Sequence, residues 1–217
     1  MRIAVDMQGA QGENSNRGIG RYSIALVKQM IKSAHDDEFI LVLNGMLSQT
    51  IENIKAEFSE LIPVDNFRVW NSLAPVNYAD QGSKTNRTIA ELTYEAFLLE
   101  QQPDFIFITS LFEGLADNAA CSVHQLQQSV PVAVVLYDLI PLIYRDKYLS
   151  NPVVKNWYLE KLEHLKKADL FLSISDSSRQ EGLDILKLPH DCVVNISTDA
   201  NSEFQPIAKD AETHKVA

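Results

Sequence analysis

Arg2-Ile3-Ala4-Val5-Asp6, then a glycine-rich run ending Arg17-Gly18-Ile19-Gly20-Arg21-Tyr22, then Ile24, Val27 and Ile31 at helical spacing, then Phe39-Ile40-Leu41-Val42-Leu43: the chain opens as strand, loop, amphipathic helix, strand. Leu26 and Met30 widen the helical stripe. The two strands, read as Ile3–Val5 and Phe39–Leu43, are continuous apolar runs rather than alternating ones. Such runs suit strands buried on both faces, as in a parallel sheet covered by helices. The same grammar continues outward. Phe67–Trp70, Phe105–Ile108, Val132–Leu136, Leu170–Ile174 and Val193–Ile196 predict five more strands. Helical faces fall between them: Ile51, Ile54, Phe58 and Leu61; Ile89, Leu92, Ala96 and Leu99; Val154, Tyr158, Leu162 and Leu165; and Leu183 to Leu186. The expected fold is α/β, a doubly wound, mostly parallel, Rossmann-like sheet of about seven strands with right-handed crossovers. Pro75 to Lys84 is polar and turn-rich, and reads as a long, mobile loop. Residues 1–207 are expected to form one domain, and the polar, aperiodic 208–217 a linker.

Bulk composition narrows the function. With 46% hydrophobic residues in 217, the chain can bury a core of domain size. No window approaches the roughly 20 apolar residues of a membrane-spanning helix. Met1 to Asp6 shows no signal-peptide architecture and reads as strand from Arg2. A formal charge of −10 argues against a nucleic-acid binder and against attraction to an anionic lipid surface. Cys121 and Cys192 are far apart and read as reduced thiols. The histidines, His35, His124, His164, His190 and His214, show no metal-ligand spacing, so no metal is expected.

The residues that can carry chemistry cluster after strands. In an open α/β sheet, ligands bind at the carboxyl ends of strands, where strand order reverses. The Gly9 to Tyr22 segment follows the first strand. Its glycines let backbone N–H groups approach a phosphate or a sugar, with Gly18 expected in a left-handed conformation, and the next helix adds its positive end. Arg17 and Arg21 can add charge-assisted hydrogen bonds. The plainer reading is a flexible loop, since neither a G-x-G-x-x-G nor a Walker pattern is present. Tyr137-Asp138-Leu139-Ile140-Pro141 ends the fifth strand and puts a carboxylate at the cleft, or else a turn-forming Asp. In Ala168 to Arg179, serines stand where a helix cap is needed, and Ser178 with Glu181 fits a capping box. Thr109 to Gly114, with Glu113, lines an acceptor groove or forms an ordinary loop. Tyr144, Tyr148, Trp157 and Tyr158 can stack on sugars, although core packing suits Trp157 and Tyr158 better.

Four of these elements, in order, resemble the N-terminal domain of family 4 (group 1) GT-B glycosyltransferases, among them bacterial surface-polysaccharide mannosyltransferases. Arg17 to Tyr22 is similar to the family's opening loop. Tyr137 to Pro141 is similar to its His-Asp-Leu-x-Pro motif, with Tyr137 in the place of the histidine and Asp138 matching. Ala168-Asp169 with Ser175, Ser178 and Arg179 resembles its Ser-x-x-Ser-Arg element. Val193 to Ile196 with Asp199, Phe204 and Pro206 resembles the hinge to a second domain, although Asn195 to Thr198 lacks the usual glycine. The resemblance implies a retaining transferase that moves a hexose, such as mannose, from a nucleotide sugar to a glycan or glycolipid. It implies Asp138 as the catalytic position, and Arg17, Gly18, Ile19, Gly20, Arg21, Tyr137, Ser175 and Arg179 as substrate contacts; Glu113 joins them as a candidate substrate contact from its own place in the loop after the fourth strand. It further implies that neither metal nor cofactor is used, and that the protein is cytoplasmic and able to work at the inner membrane face. The donor-binding half would be a separate domain, so this chain alone would be inactive. The alternative is a transferase-like binding or assembly module. A GT-B-fold sugar-nucleotide epimerase is a third reading, but the acidic and histidine residues it needs find no match.

Overall fold

The computed structural model describes residues 1–197 apart from Asn14 and His35. Asp199, Phe204, Pro206 and the expected linker lie outside the described residues. Seven strands form one sheet in the order β3-β2-β1-β4-β5-β6-β7. They are β1 Arg2–Asp6, β2 Glu38–Asn44, β3 Phe67–Trp70, β4 Phe105–Ile108, β5 Val132–Leu136, β6 Leu170–Ser173 and β7 Val193–Asn195. Every pairing is parallel, so the sheet is wholly rather than mostly so. The helices are α1 Gly18–Ser33, α2 Ile51–Phe58, α3 Lys84–Glu100, the short α4 Ile140–Ile143 and α5 Arg145–Tyr148, then α6 Pro152–Leu165 and α7 Asp176–Asp184.

Strand pleating divides the apolar side chains between two cores. Val5, Leu41, Leu43, Phe107 and Val135 face one side and pack with Val27 of α1 and Ile51, Ile54 and Phe58 of α2. Ala4, Val42, Ile106, Val134 and Leu136 face the other and meet Tyr94 and Leu98 of α3 and Tyr158, Leu162 and Leu165 of α6. The chain winds outward from β1 to β3, crosses back through α3 to β4, and winds outward again. Strand order therefore reverses between β1 and β4, and their carboxyl ends open at the topological switch point.

The helical face expected on α3 is turned away from the core. Ile89 and Leu92 are exposed, while Glu91, Tyr94 and Glu95 are buried. The reason lies between β4 and β5, where no helix forms and residues 109–131 cross as irregular chain. Much of this crossover is buried, and its backbone polar groups need partners. Glu95 accepts from the N–H groups of Gln125 (3.0 Å) and Leu126 (2.8 Å) and from Ser122 Oγ (2.6 Å). His164 Nδ1 accepts from Val123 N–H at 3.3 Å, and Lys161 Nζ donates to the Cys121 carbonyl. Tyr94 also packs on Trp70, with ring centroids 5.4 Å apart. These contacts orient α3 by its polar face, against its aliphatic periodicity. The Pro75 to Lys84 segment is tied to the same crossover rather than loose. Tyr78 N–H donates to the Gly114 carbonyl, Ala79 N–H to that of Leu115 (both 2.9 Å), and Val76 is fully buried.

Candidate functional site at the strand switch point

At the floor of the switch point is a buried polar network. Asp6 ends β1 with no exposed surface, and burial raises its carboxyl pKa to about 7 against hydrogen bonds from Gln8. Gln8 Nε2 donates to Asp6 Oδ1 (3.1 Å) and to the Ala120 carbonyl (3.0 Å), while its Oε1 accepts from Ala120 N–H (2.9 Å) and Asn44 Nδ2 (2.8 Å). Gln11 Oε1 accepts from Asn44 N–H at 2.7 Å. The loop after β1 is thus fastened to β2 and to the 109–131 crossover by side-chain amides. Little in the sequence marked Gln8, Gln11 and Asn44, because they act through partners distant along the chain.

Above this floor, three segments meet. Gly9 lies so close to the β4 end that a Cβ there would sit 2.6 Å from the Ser110 Cβ. A Cβ at Gly12 would sit 2.3 Å from Asp117 Oδ2 and 3.5 Å from Glu113 Oε2. Glu113 is buried, accepts from Ser110 Oγ at 2.7 Å, and its carbonyl accepts from Trp157 Nε1. Tyr137, one residue beyond β5, donates its hydroxyl to the Thr109 carbonyl at 3.1 Å and meets Tyr22 edge-on at 6.0 Å. Burial drives the Tyr137 phenol well above its ordinary pKa. It can offer a hydrogen-bonding surface, and proton transfer near neutral pH is closed to it. The glycine-rich loop, Glu113 and Tyr137 therefore come together.

Arg17, Gly18 and Arg21 are exposed at the start of α1, Ile19 is half-buried and Gly20 buried. Arg17 is the N-cap, with no side-chain cap, so the first amides of the helix are left without that partner. Gly18 is the first helical residue and has no left-handed φ, unlike the expectation; a Cβ there would meet no atom within 4 Å. The glycine leaves open space before the helix end instead of relieving strain. Arg17 and Arg21 form no ion pair with any described residue.

The remaining expected positions serve the fold in visible ways. Asp138 is exposed at the end of β5, and its Oδ1 accepts from Ile140 N–H at 3.1 Å, so it shapes the turn into α4. Ser175 is the N-cap of α7, accepting from Ser178 N–H at 3.1 Å. The capping box expected on Ser178 with Glu181 is therefore displaced: Ser178 supplies the capped N–H, and Glu181 accepts from Leu139 N–H at 2.8 Å. Arg179 donates Nε to the Val193 carbonyl (3.1 Å) and lies 3.1 Å from His190 Nε2, bracing β7. Glu181 thus joins α7 to the Asp138 turn, placing both elements along the same carboxyl edge.

One cluster has a metal-ligand look that the sequence reading missed. Glu91, Glu160 and His164 bring ligand atoms within 4.8 Å of one another, the last two one helical turn apart on α6. The Nδ1 lone pair of His164 is already committed to Val123 N–H, which leaves the proton of the neutral ring on Nε2. Burial and the nearby Lys161 and Lys167 lower this histidine's pKa to about 4. That chemistry suits a neutral, hydrogen-bonding histidine within a polar support for the crossover.

No family model matches the chain. Among curated proteins, a serotype-specific mannosyltransferase, WbdA, of Escherichia coli is 29% identical over 213 residues, 98% of this chain and 25% of that protein. A second WbdA from Escherichia coli is 27% identical over 186 residues, 85% of this chain and 23% of its own length. The chain is homologous to these mannosyltransferases. It spans about a quarter of their length. Among solved structures, a UDP-GlcNAc 2-epimerase from Neisseria meningitidis superposes with a TM-score of 0.58 at 15% identity, over 90% of this chain and 46% of the epimerase. That likeness concerns the fold alone, a seven-stranded parallel sheet with flanking helices in a Rossmann-like arrangement. No helix among the described residues is long and apolar enough to cross a membrane.

Proposed function

We propose that this chain is the acceptor-side domain of a retaining glycosyltransferase that moves a hexose, mannose by analogy with its relatives, from a nucleotide sugar to a glycan or glycolipid hydroxyl. The observation that carries the reading is homology to a quarter-length stretch of mannosyltransferases over nearly the whole of this chain, whose β1, β4 and β5 loops converge at the switch point. In this reading the uncapped start of α1, with Arg17 and Arg21, faces the anionic donor or its leaving diphosphate. Tyr137, Tyr22 and Glu113 shape the wall beside the transferred sugar. Asp138 contributes charge at the rim, and Ser175 and Arg179 hold α7 and β7 where they border the cleft. The chemistry is metal-independent, since cationic side chains and a helix end take the place of a divalent ion. The donor-binding residues belong to another domain, so the 217-residue chain alone binds without turnover.

The test is transfer by the full-length protein from a panel of nucleotide sugars, with the anomeric configuration of the product read by NMR. Retention, and activity unchanged by EDTA, are expected. Asp138→Asn preserves the acceptor for Ile140 N–H while removing the charge, and is expected to lower kcat/KM by about tenfold. Absence of transfer from every donor would favour the second reading, a glycan-binding module without catalysis. That reading draws on Tyr137, whose hydroxyl is engaged by Thr109 and cannot serve as acid or base.

A further inference from the structure

Beyond the Asp138 turn, the chain makes two short helical turns with an aromatic outer side. Leu142 and Leu149 are buried and anchor them, while Tyr144 and Tyr148 stand 60% and 43% exposed. Tyr148 N–H donates to the Tyr144 carbonyl at 3.1 Å, so the two residues are one turn apart along the chain. Lys147 Nζ lies 5.2 Å from the centre of the Tyr148 ring. Between this segment and α6 opens a cavity of about 320 Å³ lined by Arg145, Asp146, Leu149, Ser150, Lys155 and Leu159. Arg145 Nε is held by the Leu142 carbonyl at 3.1 Å. Among the described residues no ion pair consumes Arg145, Asp146 or Lys155. The wall therefore keeps cationic donors, a carboxylate acceptor and a hydroxyl available above two leucines.

We propose that this cavity and the Tyr144–Tyr148 face form a saccharide subsite that holds a residue of the acceptor glycan away from its reacting end. The proposal rests on the transferase reading above, and it extends the acceptor path along the segment that leaves β5. A sugar ring presents hydroxyl groups around its edge and C–H groups on its faces. The edge matches a mixed set of charged donors and acceptors; the faces match leucine and tyrosine. Pockets for small ligands begin at about 300 Å³, so this one has room for a single ring. A neutral, polyhydroxylated chain also suits a protein of net charge −10. A membrane would also use the exposed Ile140 and Ile143, but lipid contact calls for a projecting basic and apolar ridge. The cavity beside these residues is instead concave, with Asp146 in its lining.

The experiment measures binding of mannotriose and mannohexaose to the 217-residue chain by saturation-transfer NMR, with anionic vesicle sedimentation in parallel. Tighter binding of the hexaose is expected. Weakening by about fivefold or more is expected in the double variant Tyr144→Ala/Tyr148→Ala and in Asp146→Asn, with thermal midpoints unchanged because these side chains are exposed. Hexaose binding that the variants leave untouched, or no hexaose binding by the unaltered chain, overturns the subsite. Vesicle binding abolished by the double variant, with saccharide binding intact, assigns the face to lipid and also overturns it. The two readings separate in the full-length protein. Transfer whose KM for mannohexaose ignores these substitutions removes the subsite and keeps the transferase. Saccharide binding lost in the variants, with no transfer from any nucleotide sugar, keeps the subsite and removes the transferase.

Discussion

Two buried titratable side chains pull the pH dependence of this fold in opposite directions. Asp6, raised by burial to about 7 from 3.8, binds a proton in the folded state that the unfolded chain has already released. Its contribution is most favourable below pH 3.8 and is lost as pH rises to about 7. His164, lowered to about 4 from 6.5, stays neutral when folded while the unfolded chain protonates. Its contribution is present above 6.5 and is lost as pH falls to about 4. Between those values the two slopes offset. Urea titrations across this range are expected to show stability rising with pH in Asp6→Asn and falling with pH in His164→Gln. Parallel curves for both variants would contradict the assignment. Glycine gives a second contrast at the same scale. Gly9→Ala forces a Cβ against Ser110 and is expected to cost about 1–3 kcal/mol, read as a lower urea midpoint. Gly18→Val enters open space and is expected to shift stability by less than about 1 kcal/mol. Under the proposed transferase reading, the same substitution in the full-length protein is expected to lower kcat/KM by about tenfold, by filling the approach to the start of α1.

Among the elements, α7 and α3 are positioned by polar contacts as much as by their apolar faces. Ser175 caps α7 through Ser178 N–H, so Ser175→Ala is expected to cost about 1 kcal/mol. Ser178→Ala keeps that N–H and is expected to cost clearly less; a larger loss at Ser178, by thermal unfolding, would move the cap back to it. On α3, the apolar spacing of Ile89, Leu92, Ala96 and Leu99 pointed to one face, yet Glu91, Tyr94, Glu95 and Leu98 are the inward residues. Periodicity records which residues prefer burial. It does not record that a helix-free crossover will need a carboxylate to hold the amides of Gln125 and Leu126. The exposed aliphatic residues of α3 are the counterpart of that demand.

At the scale of the molecule, one sheet separates two apolar cores, and the polar network from Asp6 through Asn44 to Ala120 links the loops above them. With every strand except the two edges buried between helical layers, neither core can open without the other. The chain is therefore expected to unfold in one cooperative step, with far-ultraviolet and near-ultraviolet circular dichroism midpoints coinciding. Separate midpoints would show that the β1–β3 and β4–β7 halves are independent.

What the sequence by itself determined is the set of seven strands, their parallel arrangement and the three strand-end loops that meet at the switch point. Continuous apolar runs such as Phe39 to Leu43 and Val132 to Leu136 suit few other settings, because both of their faces must be covered. Gly9 to Tyr22 and Tyr137 to Asp138 were legible as strand-end loops for the same local reason. Only the tertiary structure decided what those residues touch. Asp138 shapes a turn, Ser175 rather than Ser178 caps α7, and Gln8, Gln11 and Asn44 hold the floor of the cleft. These choices are made by hydrogen-bond partners brought together from distant segments, where a buried amide accepts whichever side chain the packed sheet delivers to it.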